Sequence, residues 1–242
     1  KQLDCLYKTG VLHIVLWINI VFIVIIQTKG DLNMSYEYVP KSEYTPVRER
    51  LEEIILKFQE NLKPDYTFQF VLIGSGRKKL ITRKKGANTG FDFDYNLLLQ
   101  KTKSDDAQII KKKFFEAIKD VAEDYGYKTK NGKTTINIKL VDQENSSIHH
   151  SCDFALINVF YDDYENEHQE IIVRNENSYI WNEKEDSVNY TYKLSNIEAA
   201  GLWHDLKSEY LKLKNNNRDK GKKSYHLFIE AINNVYNHYV WI

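Results

Sequence analysis

The chain has 242 residues, enough to bury a real core as one large domain or two modest ones. Hydrophobic residues at 42% and charged residues at 28% exclude a disordered chain, and a formal net charge of zero excludes a global field as the means of holding a polyanion. Two distant cysteines, Cys5 and Cys152, exclude a disulfide framework and point to a reducing compartment.

The N-terminal stretch Val11 to Ile26 is strongly apolar but 16 residues long, against the ~20 that span a bilayer. It contains His13 and Asn19, and Lys8 and Lys29 flank it without setting an orientation. Met34 is the only methionine and directly precedes ordinary soluble sequence, so it reads as the natural start, with residues 1–33 as a non-native leader. The competing reading is a short membrane anchor, which changes the address from cytoplasmic to membrane-tethered without changing the chemistry.

From residue 35 the pattern is regular. Thr45-Pro46 predicts a helix start, followed at helical spacing by Val47, Leu51, Ile54, Ile55, Phe58 and Leu62, and Lys63-Pro64-Asp65 stops it. Tyr66 to Ile73 reads as a strand running into Gly74-Ser75-Gly76, with a short helix opening near Arg77 to Leu80. Arg83 to Gly90 reads as a polar basic loop, and Phe91 to Gln100 as a strand with strict alternation in its first half. Ser104 is the expected cap of a helix from Asp105 to about Tyr125, with Ile109, Ile110, Phe114, Phe115, Ile118 and Val121 inward. Thr134 to Val141 and Cys152 to Tyr161 are strands, and Ile171 to Arg174 is a candidate for another. Asn196 to Lys214 and Lys222 to about Tyr239 are helical, joined by a polar basic link. The fold class expected is α+β: a mixed twisted sheet with flanking helices over residues 34–165, then a mainly helical region over 166–242 that binds nucleotide and acceptor.

Three segments carry chemistry together. Gly74-Ser75 ends a strand before a helix, where small residues let backbone N–H groups approach phosphate oxygens. Alone it is equally a tight turn, and it lacks the Gly-Lys-Ser/Thr ending of a P-loop. Asp92 and Asp94 stand two apart on a strand and therefore share a face, opposite Phe91, Phe93 and Tyr95. Paired carboxylates repel, and a hard divalent cation relieves them. Asp153 enters an otherwise apolar strand and needs a partner, either a basic side chain or a shared metal. Three carboxylates can hold two ions, one at the acceptor hydroxyl and one at the triphosphate. His149 and His150 near Cys152 do not make a zinc set, because strand alternation separates neighbours.

The order of these segments resembles the nucleotidyltransferase superfamily that includes DNA polymerase beta: Gly-Gly/Ser, then acid–hydrophobe–acid on a strand, then a third acid on a later strand. The gap from Ser75 to Asp92 is long for that pattern and leaves Arg83 to Gly90 as an insertion. The C-terminal half is similar to the branch containing cyclic GMP-AMP synthase, the Mab-21 proteins and the CD-NTases, in which a lysine-bearing helix precedes a Ser-Tyr-His segment opening another helix. Here these are Leu206 to Leu211 and Lys223-Ser224-Tyr225-His226. The zinc-binding insertion of cyclic GMP-AMP synthase is absent.

The resemblance implies a metal-dependent enzyme that transfers NMP from an NTP to a hydroxyl acceptor and releases pyrophosphate. Asp92, Asp94 and Asp153 would be catalytic and hold two Mg²⁺ or Mn²⁺ ions. Gly74, Ser75, Ser224 and a lysine (Lys207 or Lys212) would meet the phosphates, and Tyr225 would stack on the base. The acceptor stays open among a second nucleotide, an RNA end, a protein and a small molecule. A nucleotide- or RNA-binding sensor without turnover is the alternative. Without the resemblance, Ser224 and Tyr225 read as a helix cap and a half-buried packing residue.

Overall fold

A computed structural model of the chain describes residues 35–184, 189–219 and 221–239. The apolar Val11 to Ile26 segment lies outside them, and among the described residues no helix is long and apolar enough to cross a membrane. The chain divides into two compact units, Tyr36–Arg83 with Asn88–Ile242, and Lys1–Ser35 with Lys84–Ala87. In the described part of the second, the Lys85 amide donates to the Ser35 carbonyl at 2.8 Å. The site and both cores belong to the first.

The first unit is α+β, with a mixed sheet flanked by helices and a helical C-terminal region. Short strands β1 (Tyr36–Tyr38) and β3 (Thr82–Lys84) form a two-stranded sheet. The main sheet has seven strands. β2 (Thr67–Ile73), β4 (Phe91–Lys101), β7 (Ser147–Tyr161), β6 (Thr135–Asp142) and β5 (Tyr127–Asn131) are neighbours in that order. β8 (Glu167–Asn175) pairs with the far end of β7, and β9 (Ser178–Glu183) pairs with β8. Every pairing in this sheet is antiparallel except β4 with β7.

The alternation read in β4 decides which face is core. Phe91, Phe93, Tyr95, Leu97 and Leu99 are buried, and helices α1 (Lys41–Leu62) and α3 (Ala107–Asp124) cover them. Leu51, Ile54, Ile55 and Phe58 from α1 meet Ile110, Phe114 and Ile118 from α3, as the 3.6-residue period requires. Aromatic rings interlock across the layers, Phe58 on Phe68 at 5.6 Å and Phe68 on Phe114 at 5.5 Å between centroids. A second core joins Leu80 to α4 (Thr191–Ala199), α5 (Trp203–Asn216) and α6 (Ser224–Tyr239) through Ile197, Leu206, Tyr210, Phe228 and Ile232.

Several boundaries differ from expectation. α1 begins at Lys41 rather than at Thr45, because the Pro40 carbonyl accepts from the Glu43 and Tyr44 amides and Tyr44 is buried. The cap of α3 is Asp106, whose Oδ1 accepts from the Gln108 and Ile109 amides, while Ser104 accepts only from the Asp106 amide. Ile109 faces solvent at 46% exposure, since side chains one residue apart on a helix point about 100° apart and Ile110 takes the inward position. Arg83 and Lys84 of the expected loop belong to strand β3. The sheet continues past residue 165 through β8 and β9, and the helix expected over Asn196 to Lys214 is two helices separated at Gly201, whose φ is +71°.

Candidate active site

Opposite the α1–α3 layer, the other face of β4 carries Asp92 and Asp94. In the parallel ladder Asp94 and Asp153 are direct Cα partners, so strand register alone brings the third aspartate beside the pair. On the other edge of β4, the antiparallel β2 ends with Ile73 opposite Asp94. The chain then turns at Gly74, φ +60°, into the short helix α2 (Gly74–Lys78). A Cβ at Gly74 would fall 2.7 Å from Asp94 Oδ2, so a side chain there is barred twice, by backbone conformation and by space.

The carboxylates feel one another. Asp94 is pushed up to about 7, first by burial and then by Asp92 and Asp153, with Lys78 opposing. Asp92 is also raised, by burial and by Asp153, with Lys214 opposing. Asp92 is an exposed residue, but the surrounding walls remove enough water to penalise its charge. Asp153 Oδ1 accepts from Thr135 Oγ1 at 2.8 Å and from Asn137 Nδ2 at 3.1 Å. As the side chains stand, no set of three or more His, Cys, Asp or Glu among the described residues is arranged to hold a metal ion. The donors are nonetheless hard oxygens in mutual repulsion, which is the chemistry a Mg²⁺ or Mn²⁺ site requires.

Two cations complete the site; neither is Lys207 or Lys212, and Lys78 falls in the basic stretch Arg77 to Lys85 that the sequence offered only as a candidate guide for a triphosphate. Lys78 and Lys214 line a cavity of about 170 Å³ together with Gly74, Ser75, Asp92, Asp94, Tyr210, Ser224 and Tyr225. Burial lowers the pKa of both lysines, opposed by Asp94 at Lys78 and by Asp92 at Lys214. Lys214 Nζ donates to Thr82 Oγ1 at 2.7 Å, and Lys78 Nζ reaches the Gly74 carbonyl at 3.5 Å and lies 5.0 Å over the Phe228 ring. Among the described residues neither forms a carboxylate ion pair.

Six of the expected residues therefore meet in one cavity: Gly74, Ser75, Asp92, Asp94, Ser224 and Tyr225. Asp153 adjoins it through its register with Asp94. Ser224 opens α6, and Tyr225 is 37% exposed with its ring 6.5 Å from that of Tyr190. Lys207 and Lys212 are elsewhere. Lys207 Nζ sits 4.7 Å over the Tyr38 ring, and Lys212 pairs with Glu209 at 3.0 Å beside a larger groove of about 620 Å³ between α5 and α6. Lys214 lies two helical turns beyond Lys207 on the same stripe, one turn past the buried Tyr210. That spacing of four from Tyr210 was the signal available in the sequence. Lys78, one turn from Gly74, was legible by the same rule.

No protein-family model and no curated protein sequence matches the chain. Solved structures do. The Vibrio cholerae dinucleotide cyclase DncV in its GTP-bound form is similar over 83% of this chain and 53% of its own, at 14% identity and a TM-score of 0.52. The same protein with 3'-deoxy ATP gives 14% identity, the same coverage and a TM-score of 0.51. The STING-associated CdnE c-di-GMP synthase of Capnocytophaga granulosa is similar over 84% of this chain and 64% of its own, at 18% identity and a TM-score of 0.52. The chain spans roughly half to two thirds of the length of these proteins. It shares the fold of these solved structures, the fold its motifs led one to expect.

Proposed function

We propose that the chain is a nucleotidyltransferase that moves NMP from an NTP to a hydroxyl acceptor with release of pyrophosphate. The observation that carries this reading is one cavity holding an Asp92–Asp94 pair, registered against Asp153, together with Gly74, Ser75 and two lysines that form no carboxylate ion pair among the described residues. Anionic and cationic groups this close leave room for a ligand that is itself a polyanion bound with cations. Mg²⁺ or Mn²⁺ held by Asp92, Asp94 and Asp153 would supply charge neutralisation to the triphosphate and acidify the acceptor hydroxyl.

The chain's own groups have separable tasks. Gly74 and Ser75 present backbone and hydroxyl donors to phosphate at a turn that no larger residue fits. Lys78 and Lys214 match the charge of the β- and γ-phosphates, with Lys214 rather than Lys207 or Lys212 as the α5 lysine. Ser224 adds a donor at the start of α6, and the exposed face of Tyr225 stacks on the base. Asp153 takes the acceptor proton as the hydroxyl oxygen bonds to the α-phosphorus and the bond to pyrophosphate breaks. Catalysis then rests on positioning and charge, with no covalent enzyme intermediate. Residues 34–165 form the catalytic core in this reading, and 166–242 supply the nucleotide and acceptor contacts.

The similar structures include a dinucleotide cyclase and a c-di-GMP synthase, and this supports a second nucleotide as the acceptor and an oligonucleotide second messenger as the product. Incubation with all four NTPs and Mg²⁺ or Mn²⁺, with pyrophosphate detection and mass spectrometry of the products, tests it. Release that disappears in Asp92→Ala supports transfer. A second reading, a nucleotide sensor without turnover, draws on the observation that the carboxylates as placed make no metal set among the described residues. Saturable NTP binding with no pyrophosphate under either ion would favour it.

A further inference from the structure

Of the three aspartates, Asp153 is the one whose carboxylate takes side-chain hydrogen bonds among the described residues. Thr135 and Asn137 stand two apart on β6 and so share the face of Asp153, and Asn137 is its direct cross-strand partner. Both donate to the same carboxylate oxygen, Oδ1, at 2.8 and 3.1 Å, and Asn137 Nδ2 also approaches the Cys152 carbonyl at 3.4 Å. Two donors on one oxygen set the rotation of the carboxylate and leave Oδ2 without a protein partner among the described residues. Without them, repulsion from Asp94 across the parallel ladder would turn the group away.

The β5–β6 turn that carries Thr135 is itself braced. Four consecutive carbonyls are held from outside the hairpin. Arg174 donates to Asn131 at 3.1 Å, Tyr179 Oη to Gly132 at 3.1 Å, the Arg174 amide to Lys133 at 2.7 Å, and Lys111 Nζ to Thr134 at 3.2 Å. Lys111 is wholly buried, an expensive position for an ammonium unless its place is fixed. The brace comes from α3, β8 and β9, three elements outside the cavity.

We infer that Thr135 and Asn137 are positioning residues that hold Asp153 in one rotamer, with Oδ1 engaged and Oδ2 presented to the reacting hydroxyl. The inference rests on the proposed role of Asp153 as proton acceptor. Partners of this kind, one step removed from the reacting atoms, are typically worth about 10–100-fold in activity.

The test uses crystal structures and steady-state kinetics of wild type, Thr135→Val, Thr135→Ser, the double variant Thr135→Val/Asn137→Leu, and Asp153→Asn. The Asp153 side chain is expected to keep its rotamer in wild type and Thr135→Ser and to leave it in the double variant. Thr135→Val is expected to lower kcat about 10-fold or more while KM for NTP and Tm stay near wild type, with Thr135→Ser restoring kcat. A loss that follows Tm instead would mark a merely structural role and overturn the inference. An unchanged Asp153 rotamer in the double variant, or in Thr135→Val should the double variant not fold, also overturns it. So does undiminished kcat in both valine-bearing variants when Asp153→Asn is inactive. If wild type releases no pyrophosphate, or Asp153→Asn matches it, the functional reading fails, and the rotamer comparison alone decides the hold on Asp153.

Discussion

The sheet wall of the cavity and its helical wall were built by different rules. On the sheet wall, Asp92 and Asp94 share a face because a strand repeats every two residues, and Asp153 joins them because β4 and β7 run parallel in a fixed register. On the helical wall, Lys207, Lys212 and Lys214 all lie on α5, yet only Lys214 lines the cavity. A helix of 14 residues is about 21 Å long, so lysines on one stripe can serve regions of the molecule that never meet. Periodicity settles a face on a strand. On a long helix it leaves the height undecided.

That contrast can be broken most sharply at Asp94. Asp94→Asn keeps the shape and removes the charge, so pyrophosphate release should fall about 1000-fold or more, while Tm holds or rises because a raised, repelled carboxyl has gone. Loss of both together would mean that the sheet wall needs Asp94 for folding rather than chemistry. The next effect is a pH dependence on the opposite, core face of the same sheet, where His150 pairs with Phe91. His150 is buried, shares a 2.7 Å hydrogen bond between its Nε2 and Tyr127 Oη, and is pushed down to about 4 by burial and then by His149 and Arg50. A folded pKa below the unfolded value near 6.5 means that stability is complete above about 6.5 and lost as pH falls towards 4. The loss should reach on the order of 3 kcal/mol, read from urea midpoints across that window, and His150→Gln should flatten the slope.

Gly74→Ala tests the junction of the two walls. The added Cβ meets Asp94 Oδ2 at 2.7 Å in a left-handed backbone position, so activity should drop about 100-fold, with roughly 1–2 kcal/mol lost in stability. A Gly74→Ala enzyme with normal turnover would show that the close approach of Gly74 to Asp94 has no bearing on the chemistry. The smallest expected effect sharpens the helical wall. Lys214→Met should raise KM for NTP about 10-fold, the usual worth of a hydrogen bond to a charged group, whereas Lys207→Met and Lys212→Met should stay within about twofold. An equal effect from Lys207 would mean that α5 moves when nucleotide binds.

Much of the architecture was legible because it follows short periods. The alternation of β4, the inward stripe of Leu51, Ile54, Ile55 and Phe58, and the stop at Lys63-Pro64 needed no knowledge of distant residues. Errors gathered where two local signals compete. Thr45-Pro46 looks like a helix start, but Pro40 and the buried Tyr44 pull α1 back to Lys41. Ser104 and Asp106 are both good caps, and which one caps depends on where the chain leaves β4. The break between α4 and α5 at Gly201 was hidden inside one continuous helical pattern.

By itself, then, the sequence determined the fold class, the shared face of Asp92 and Asp94 and the glycine turn after β2, because each depends on backbone geometry within a few residues. Only the tertiary structure decided that Asp153 lies opposite Asp94, that Lys78 and Lys214 are the cations in the cavity, and that Thr135 and Asn137 hold the third aspartate. Those facts depend on strand register and on the height of one helix against a sheet. Both are set by packing between residues far apart in the chain, which no local pattern records.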